Sequence, residues 1–204
     1  MCRYLADAGF FAGTGGNIGV RLDERLMAVT PSATDYRSVR AEDVAVLDID
    51  TLAAVEGDRT PTVEKGLHAQ MLKCHRGRGA SIHTHQPIAS AVALLREVLP
   101  WPVGYDRAAL GPHVGLVPYR PSGTGMLVKA FARVLRPDVF AYLLANHGVI
   151  CAGTDLRATA GIVRSVEAAA AIHLRDRIEK RADLDRELRA LVLGALDKAE
   201  TKGA

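Results

Sequence analysis

Apolar residues recur along this chain with two periods, and the switches between them predict the order of the elements. Residues 3–8 suit a helix that Gly9 can close, and they read like the end of a longer one, which leaves a truncated start open. Gly13-Thr14-Gly15-Gly16-Asn17 is a small-residue turn. Ile18, Val20 and Leu22 then alternate with small or polar positions, as in a half-buried strand. Asp23-Glu24-Arg25 turns the chain into a second strand over 26–29, ended by Thr30-Pro31-Ser32, and 44–49 reads as a third strand. Residues 64–74 carry Leu67, Met71 and Cys74 at helical spacing, and Gly77 and Gly79 stop that helix. A short buried strand follows over 80–85, and Pro87 opens a helix to about residue 97. Residues 98–125, rich in Pro and Gly, read as loops with short strands. A helix over 125–135, a strand over 139–144, a turn at 146–148 and a strand over 149–152 come next. Thr154 or Asp155 caps a long helix to about residue 180, whose alanines at 168–171 suit close packing. Leu184, Leu188, Leu191 and Val192 form a last amphipathic segment before a polar, frayed tail.

No repeat, linker or boundary interrupts this order. Interleaved strands and helices favour an α/β sandwich, with helices around one sheet. The 204 residues suffice for one domain with a sizeable core. A hydrophobic share of 49% and a charged share of 24% are those of a globular chain. The net charge of +3 is spread in mixed sign, with no basic block to track nucleic acid. Arg76 and Arg78 flank a glycine and read as a solvated turn. Neither a signal pattern nor an apolar run of membrane length is visible, so no membrane partner and a cytoplasmic protein are expected. Cys2, Cys74 and Cys151 are odd in number and far apart, which points to reduced thiols, with Cys151 buried in a strand.

Candidate chemistry sits among the seven histidines. His75 and His173 read as surface or satisfied core residues, and His68 and His113 have no assigned role. In His83-Thr84-His85, strand geometry sends both imidazoles to one face, at a spacing that suits one metal ion. His147 follows a second apolar strand, and the glycine after it lets the backbone come close to a neighbour. Glu64 opens a helix, where a carboxylate is also favoured by the helix dipole alone. Gly13-Thr14-Gly15 fails as a dinucleotide fingerprint, because Ile18 stands where the third glycine is required.

Five motifs appear in order and at suitable spacing: Gly13 to Asn17, Thr30-Pro31-Ser32, Glu64 with His68, His83-Thr84-His85, and Asn146-His147-Gly148. Together they resemble the class II aldolase/adducin family, the L-fuculose-1-phosphate aldolase group in particular, from about residue 3 to residue 180. The family holds sugar-phosphate aldolases, pentulose-5-phosphate 4-epimerases, a methylthioribulose-phosphate dehydratase, decarboxylases and the non-catalytic head of adducin. The resemblance implies a single-domain three-layer sandwich over residues 1–204, with a central, mainly antiparallel sheet flanked by helices. It implies that His83, His85 and His147 bind one divalent metal, zinc before manganese or cobalt. Glu64 would be the resting fourth ligand, then the acid/base. Gly16, Asn17, Ser32 and Thr62 would hold a substrate phosphate, and Tyr105 falls near the family's catalytic tyrosine, which would protonate the leaving alkoxide from a neighbouring subunit. A homotetramer with sites between subunits is the implied assembly. The implied reaction is retro-aldol cleavage of a phosphorylated ketose to dihydroxyacetone phosphate and an aldehyde.

Two positions depart from the fuculose pattern. Ala33 stands where that group has glycine, and Val63 where it has a second serine. One phosphate hydroxyl is thus missing, and Lys65 or Arg37 could supply charge instead. The loss at Val63 keeps a decarboxylase or dehydratase in view. A 4-epimerase fits less well, since those enzymes usually place aspartate at the Glu64 position. An adducin-like module fits least, because such heads lack the histidines.

Overall fold

Nine strands form one sheet in the computed structural model, which describes residues 1–11 and 13–202. The strands are β1 (Asn17–Arg21), β2 (Leu26–Val29), β3 (Ala45–Asp48), β4 (Ala54–Glu56), β5 (Ala80–Thr84), β6 (Leu99–Pro100), β7 (His113–Val117), β8 (Ala141–Leu144) and β9 (Gly148–Gly153). The helices are α1 (Cys2–Asp7), α2 (Lys65–Cys74), α3 (Pro87–Ala93), α4 (Arg107–Leu110), α5 (Gly125–Val134), α6 (Leu156–Glu179) and α7 (Arg186–Lys202). The sheet order is β4-β3-β2-β1-β5-β9-β8-β7-β6. Every pairing is antiparallel except β7 with β8, which the α5 crossover joins in parallel. The expected three-layer, mainly antiparallel α/β sandwich is the fold observed.

Central strands bury both faces, which is why β9 reads as an unbroken apolar run. Val149 and Cys151 face one layer with Ile82 and Leu143, under Val163, Val166 and Ala170 of α6 and Ile88 and Val92 of α3. Ile150 and Ala152 face the other, under Met71 of α2 and Leu127 and Phe131 of α5. Of the alanines at 168–171, Ala169 to Ala171 are buried against the neighbouring elements and Ala168 is exposed. Among the described residues, no helix is long and apolar enough to cross a membrane.

Several boundaries differ from the sequence reading, each for a local reason. β4 was not anticipated: its Ala-Val-Glu is exposed throughout and becomes a strand only by pairing with β3. The helix expected to reach residue 97 ends at Ala93, and Arg96 takes a left-handed φ of 57° just beyond it. α4 stands inside the stretch read as loops and strands, capped by the Asp106 side chain, which accepts from Ala108 N and Ala109 N. Asp155 rather than Thr154 caps α6, accepting from Ala158 N at 2.8 Å. The expected polar tail is helical through Lys202, tied back to α6 by Arg175 with Asp197 and Glu200. Residues 203–204 lie outside the described residues.

Candidate metal centre

Three adjacent strands deliver the candidate residues to one end of the sheet. β1 begins at Asn17, which lies directly across from His83 near the end of β5. β9 begins at Gly148, just after His147, and Thr84 pairs with Val149. Alternation along β5 sends Ser81 and His83 toward α2, while Thr84 turns to the α6 layer through Gln86, whose Nε2 donates to the Val163 carbonyl. His85 lies one residue past β5, where its backbone N–H donates to the Phe10 carbonyl at 3.0 Å. His147 stands in the tight β8–β9 turn, and Asn146 before it adopts a φ of 57° that asparagine tolerates better than most residues.

The three rings converge, with centroids 4.8 Å apart for His83 and His85, 4.7 Å for His83 and His147, and 5.0 Å for His85 and His147. One ring nitrogen from each lies within 4.8 Å of the others. His83 donates from Nδ1 to the Val149 carbonyl at 2.8 Å, so in the neutral ring its Nε2 carries the lone pair. That Nε2 is 3.0 Å from His85 Nε2. Glu64, the N-cap of α2, completes the group: Oε2 lies 3.1 Å from His83 Nε2 and Oε1 3.3 Å from His147 Nε2. Asn17 Nδ2 donates to Oε2 and Ser122 Oγ to Oε1, each at 2.9 Å.

Burial dominates the electrostatics. It pushes His85 and His147 down to about 4, with repulsion from His83 adding to the effect and attraction to Glu64 opposing it. Burial alone would raise the Glu64 carboxyl. Attraction and a hydrogen bond at His83, the Asn17 hydrogen bond and attraction to His147 outweigh it and hold the carboxyl below its ordinary value. Buried imidazoles that resist protonation, beside a carboxylate that keeps its charge, form a donor set suited to a divalent cation. His147 Nδ1 is buried without a hydrogen-bond partner among the described residues, while its Nε2 faces Glu64. The cluster fits a metal site.

The residues expected to hold phosphate are placed unevenly. Segments 30–32 and 60–62 run antiparallel through Thr62 N to Thr30 O and Ser32 N to Thr60 O, which brings Ser32 and Thr62 near Glu64 in the chain path. Thr62 is buried, and its hydroxyl accepts from Glu64 N at 3.2 Å. Both ends of the Asn17 amide are engaged, by Glu64 and by His68 Nε2 at 2.6 Å. Gly16 is buried with a φ of 96°, and a methyl group there would strike the Phe11 ring and reach 3.1 Å from the His83 carbonyl oxygen. Arg37 is spent on a surface pair with Asp7, and Lys65 is the half-buried first residue of α2.

Tyr105 is not brought to the histidines of its own chain. It stacks on Trp101 at 5.6 Å and lines a cavity in the α6 layer with Phe10, Ile88 and Glu167. A further cavity, lined by His75, Arg78, Phe140 and Thr154, opens at the start of β5 and the end of β9, away from the triad. His75 is a buried core residue with Nδ1 2.9 Å from the Met71 carbonyl oxygen and Nε2 3.0 Å from that of Val139, and His173 pairs with Glu97 near the surface. Sequence reasoning missed Ser122. The one signal was the small, polar turn Pro121-Ser122-Gly123-Thr124 ahead of α5, and nothing in it pointed to a carboxylate 58 positions away.

Comparison with known proteins agrees with this architecture. The family described as Class II Aldolase and Adducin N-terminal domain matches residues 1–174. A 5-deoxy-D-ribulose 1-phosphate aldolase of Bacillus thuringiensis serovar kurstaki is 34% identical over 173 residues, covering 84% of this chain and 79% of its own length. A methylthioribulose-1-phosphate dehydratase of Pectobacterium carotovorum is 28% identical over 167 residues, covering 76% of this chain and 81% of its own. A solved L-fuculose 1-phosphate aldolase superposes with a TM-score of 0.76 at 32% identity, covering 96% of this chain and 92% of that one. Fold, sequence and the convergence of the three histidines agree, and the chain belongs to the class II aldolase and adducin N-terminal domain family.

Proposed function

We propose that this chain is a metal-dependent aldolase that cleaves a phosphorylated ketose to dihydroxyacetone phosphate and an aldehyde. The observation that carries the reading is Glu64, a carboxylate against His83 and His147 whose two oxygens are each steadied by a neutral donor. In this reading a zinc ion held by His83, His85 and His147 supplies Lewis-acid stabilisation of the negative charge that develops on the substrate oxygens. Glu64 would be the fourth residue holding the ion at rest, and with substrate bound it moves a proton at the carbon next to the reacting carbonyl. Closure around it raises its affinity for that proton toward working pH. Backbone and hydroxyl groups of Gly16, Ser32 and Thr62 receive the phosphate, and Asn17 joins them only by releasing Glu64. Tyr105 serves the site of a neighbouring subunit in a fourfold assembly, taking the proton from the ketose hydroxyl as the aldehyde forms and returning it to the alkoxide in the condensation direction.

The relatives named for 5-deoxy-D-ribulose 1-phosphate and L-fuculose 1-phosphate support aldol chemistry on a ketose 1-phosphate. Val63 favours a second reading, dehydration. It is 63% exposed beside Glu64, puts an apolar surface where the fuculose group has a hydroxyl, and two relatives are dehydratases. The test is to incubate the zinc-loaded protein with dihydroxyacetone phosphate and a panel of short aldehydes. Aldolase chemistry predicts ketose 1-phosphates as products, lost on chelation. No condensation with any aldehyde, together with water loss from methylthioribulose 1-phosphate, would replace it with the second reading.

A further inference from the structure

His68 lies on α2 one turn after Glu64, with its side chain fully buried. Gly19 of β1 makes room for it: a methyl group there would come within 2.7 Å of His68 Cβ. Each ring nitrogen faces one partner. Nδ1 is 2.9 Å from Ser81 Oγ, and Nε2 is 2.6 Å from Asn17 Oδ1. Asn17 Nδ2 then lies 2.9 Å from Glu64 Oε2.

The hydrogens along this chain have one consistent direction. An ionised carboxylate only accepts, so Asn17 turns its NH2 to Glu64 and its carbonyl to His68. His68 Nε2 must therefore carry the ring hydrogen, its Nδ1 accepts, and Ser81 donates. Without that Nε2–H, only the Glu64 side opposes turning the Asn17 amide over, because its carbonyl would then face the carboxylate. With it, a turned amide sets two donors against each other on one side and two acceptors on the other, all buried, where each unmade bond costs most.

We infer that His68 is a positioning residue: its Nε2–H, donated to Asn17 Oδ1, locks the amide in the orientation that Glu64 requires, and so helps to aim the carboxylate. Its effect on turnover rests on the aldolase reading above, whereas the hydrogen-bond polarity does not. Ser81 and His68 are fully buried behind Asn17 and reach Glu64 Oε2 only through its amide.

Two measurements test it on the full-length, zinc-loaded protein. Nitrogen-15 NMR of the histidine rings is expected to show His68 as the neutral Nε2–H tautomer, with the signal identified by its loss in His68→Gln. An Nδ1–H tautomer overturns the inference. Hydrogen–deuterium exchange into dihydroxyacetone phosphate then reads proton transfer apart from carbon–carbon bond cleavage. His68→Leu is expected to keep one zinc per chain and to slow exchange at least tenfold, with apparent KM changed less than threefold. His68→Gln, which can still donate to Asn17, is expected to recover most of the rate. Wild-type exchange in His68→Leu, or a His68→Gln as slow as His68→Leu, overturns the inference. If the leucine variant does not fold, Ser81→Ala takes its place, with a smaller fall in rate expected and no fall overturning the inference. Absence of exchange in the wild type would sink the aldolase reading instead, and the tautomer alone would then decide the role of His68.

Discussion

Gly148 lies so close to His85 that a methyl group at position 148 would come within 2.8 Å of His85 Cδ2 while striking the Thr84 carbonyl oxygen. The same methyl would reach 3.3 Å from His83 Cε1. Glycine therefore lets the β8–β9 turn approach the end of β5, and this approach is what sets His147 beside the other two rings. Gly148→Ala is expected to cost about 1–3 kcal/mol by overpacking and to weaken metal binding by at least tenfold. Urea denaturation and a chelator competition check both. An unchanged metal affinity would show that the close approach is not needed to assemble the triad.

Glu64→Gln separates holding the metal from moving the proton. The amide keeps hydrogen-bonding capacity toward Asn17 and Ser122 but cannot take up a proton at working pH. Metal content measured by mass spectrometry is expected to stay near one ion per chain, while kcat falls about 10²–10⁴-fold, the usual weight of general acid–base catalysis. A variant that keeps wild-type kcat would remove Glu64 from the chemistry.

Acid should destabilise the metal-free protein. Burial holds His68 at about 3 and His85 and His147 at about 4, below their ordinary value of 6.5. Between those values the unfolded chain binds protons that the folded chain refuses. Stability is therefore full above pH 6.5 and falls as the pH drops toward 4, by at most about 1.4 kcal/mol per pH unit for each group. The Glu64 carboxyl, held below its ordinary value of 4.5, adds a loss of the same sign below that pH. Urea midpoints of the chelated protein, taken from neutral pH to about pH 4.5, are expected to decline. A flat or rising series contradicts the burial argument.

Ala33 occupies a left-handed backbone conformation, with φ at 48°. That costs an alanine about 1–2 kcal/mol, while glycine would lose about 0.5–1 kcal/mol of unfolded-state advantage in exchange. Ala33→Gly is thus expected to leave stability unchanged or to raise it by about 1 kcal/mol, read as a thermal midpoint equal to or above that of the wild type. A fall larger than about 1 kcal/mol would mean that the Ala33 methyl group makes contacts worth more than the strain.

The fold was legible because its signals are local. Alternation announced β1, short apolar runs announced β5 and β9, and Pro87, Gly77 and the α6 cap marked helix ends. β4 escaped because its strand character comes from pairing with β3 and not from its own residues. The His83–His85 spacing was readable from strand alternation, although His85 lies beyond β5 and depends on the Phe10 carbonyl for its place. The approach of His147 came from the glycine after it. What no spacing could disclose was the polar web around Glu64: Asn17, 47 positions upstream, and Ser122, 58 positions downstream, meet the carboxylate only once the sheet and the α5 loop are assembled. Sequence likewise shows the Asn17 amide but not that Glu64 and His68 engage both of its ends.

X-ray absorption at the zinc edge of the reconstituted protein addresses the shared cation most directly. Three imidazole nitrogens at about 2.0–2.1 Å, with only oxygen completing the shell, are predicted for the wild type, and the same three imidazoles for Glu64→Gln. A shell with fewer than three imidazoles, or one containing sulfur, would contradict a metal held jointly by His83, His85 and His147.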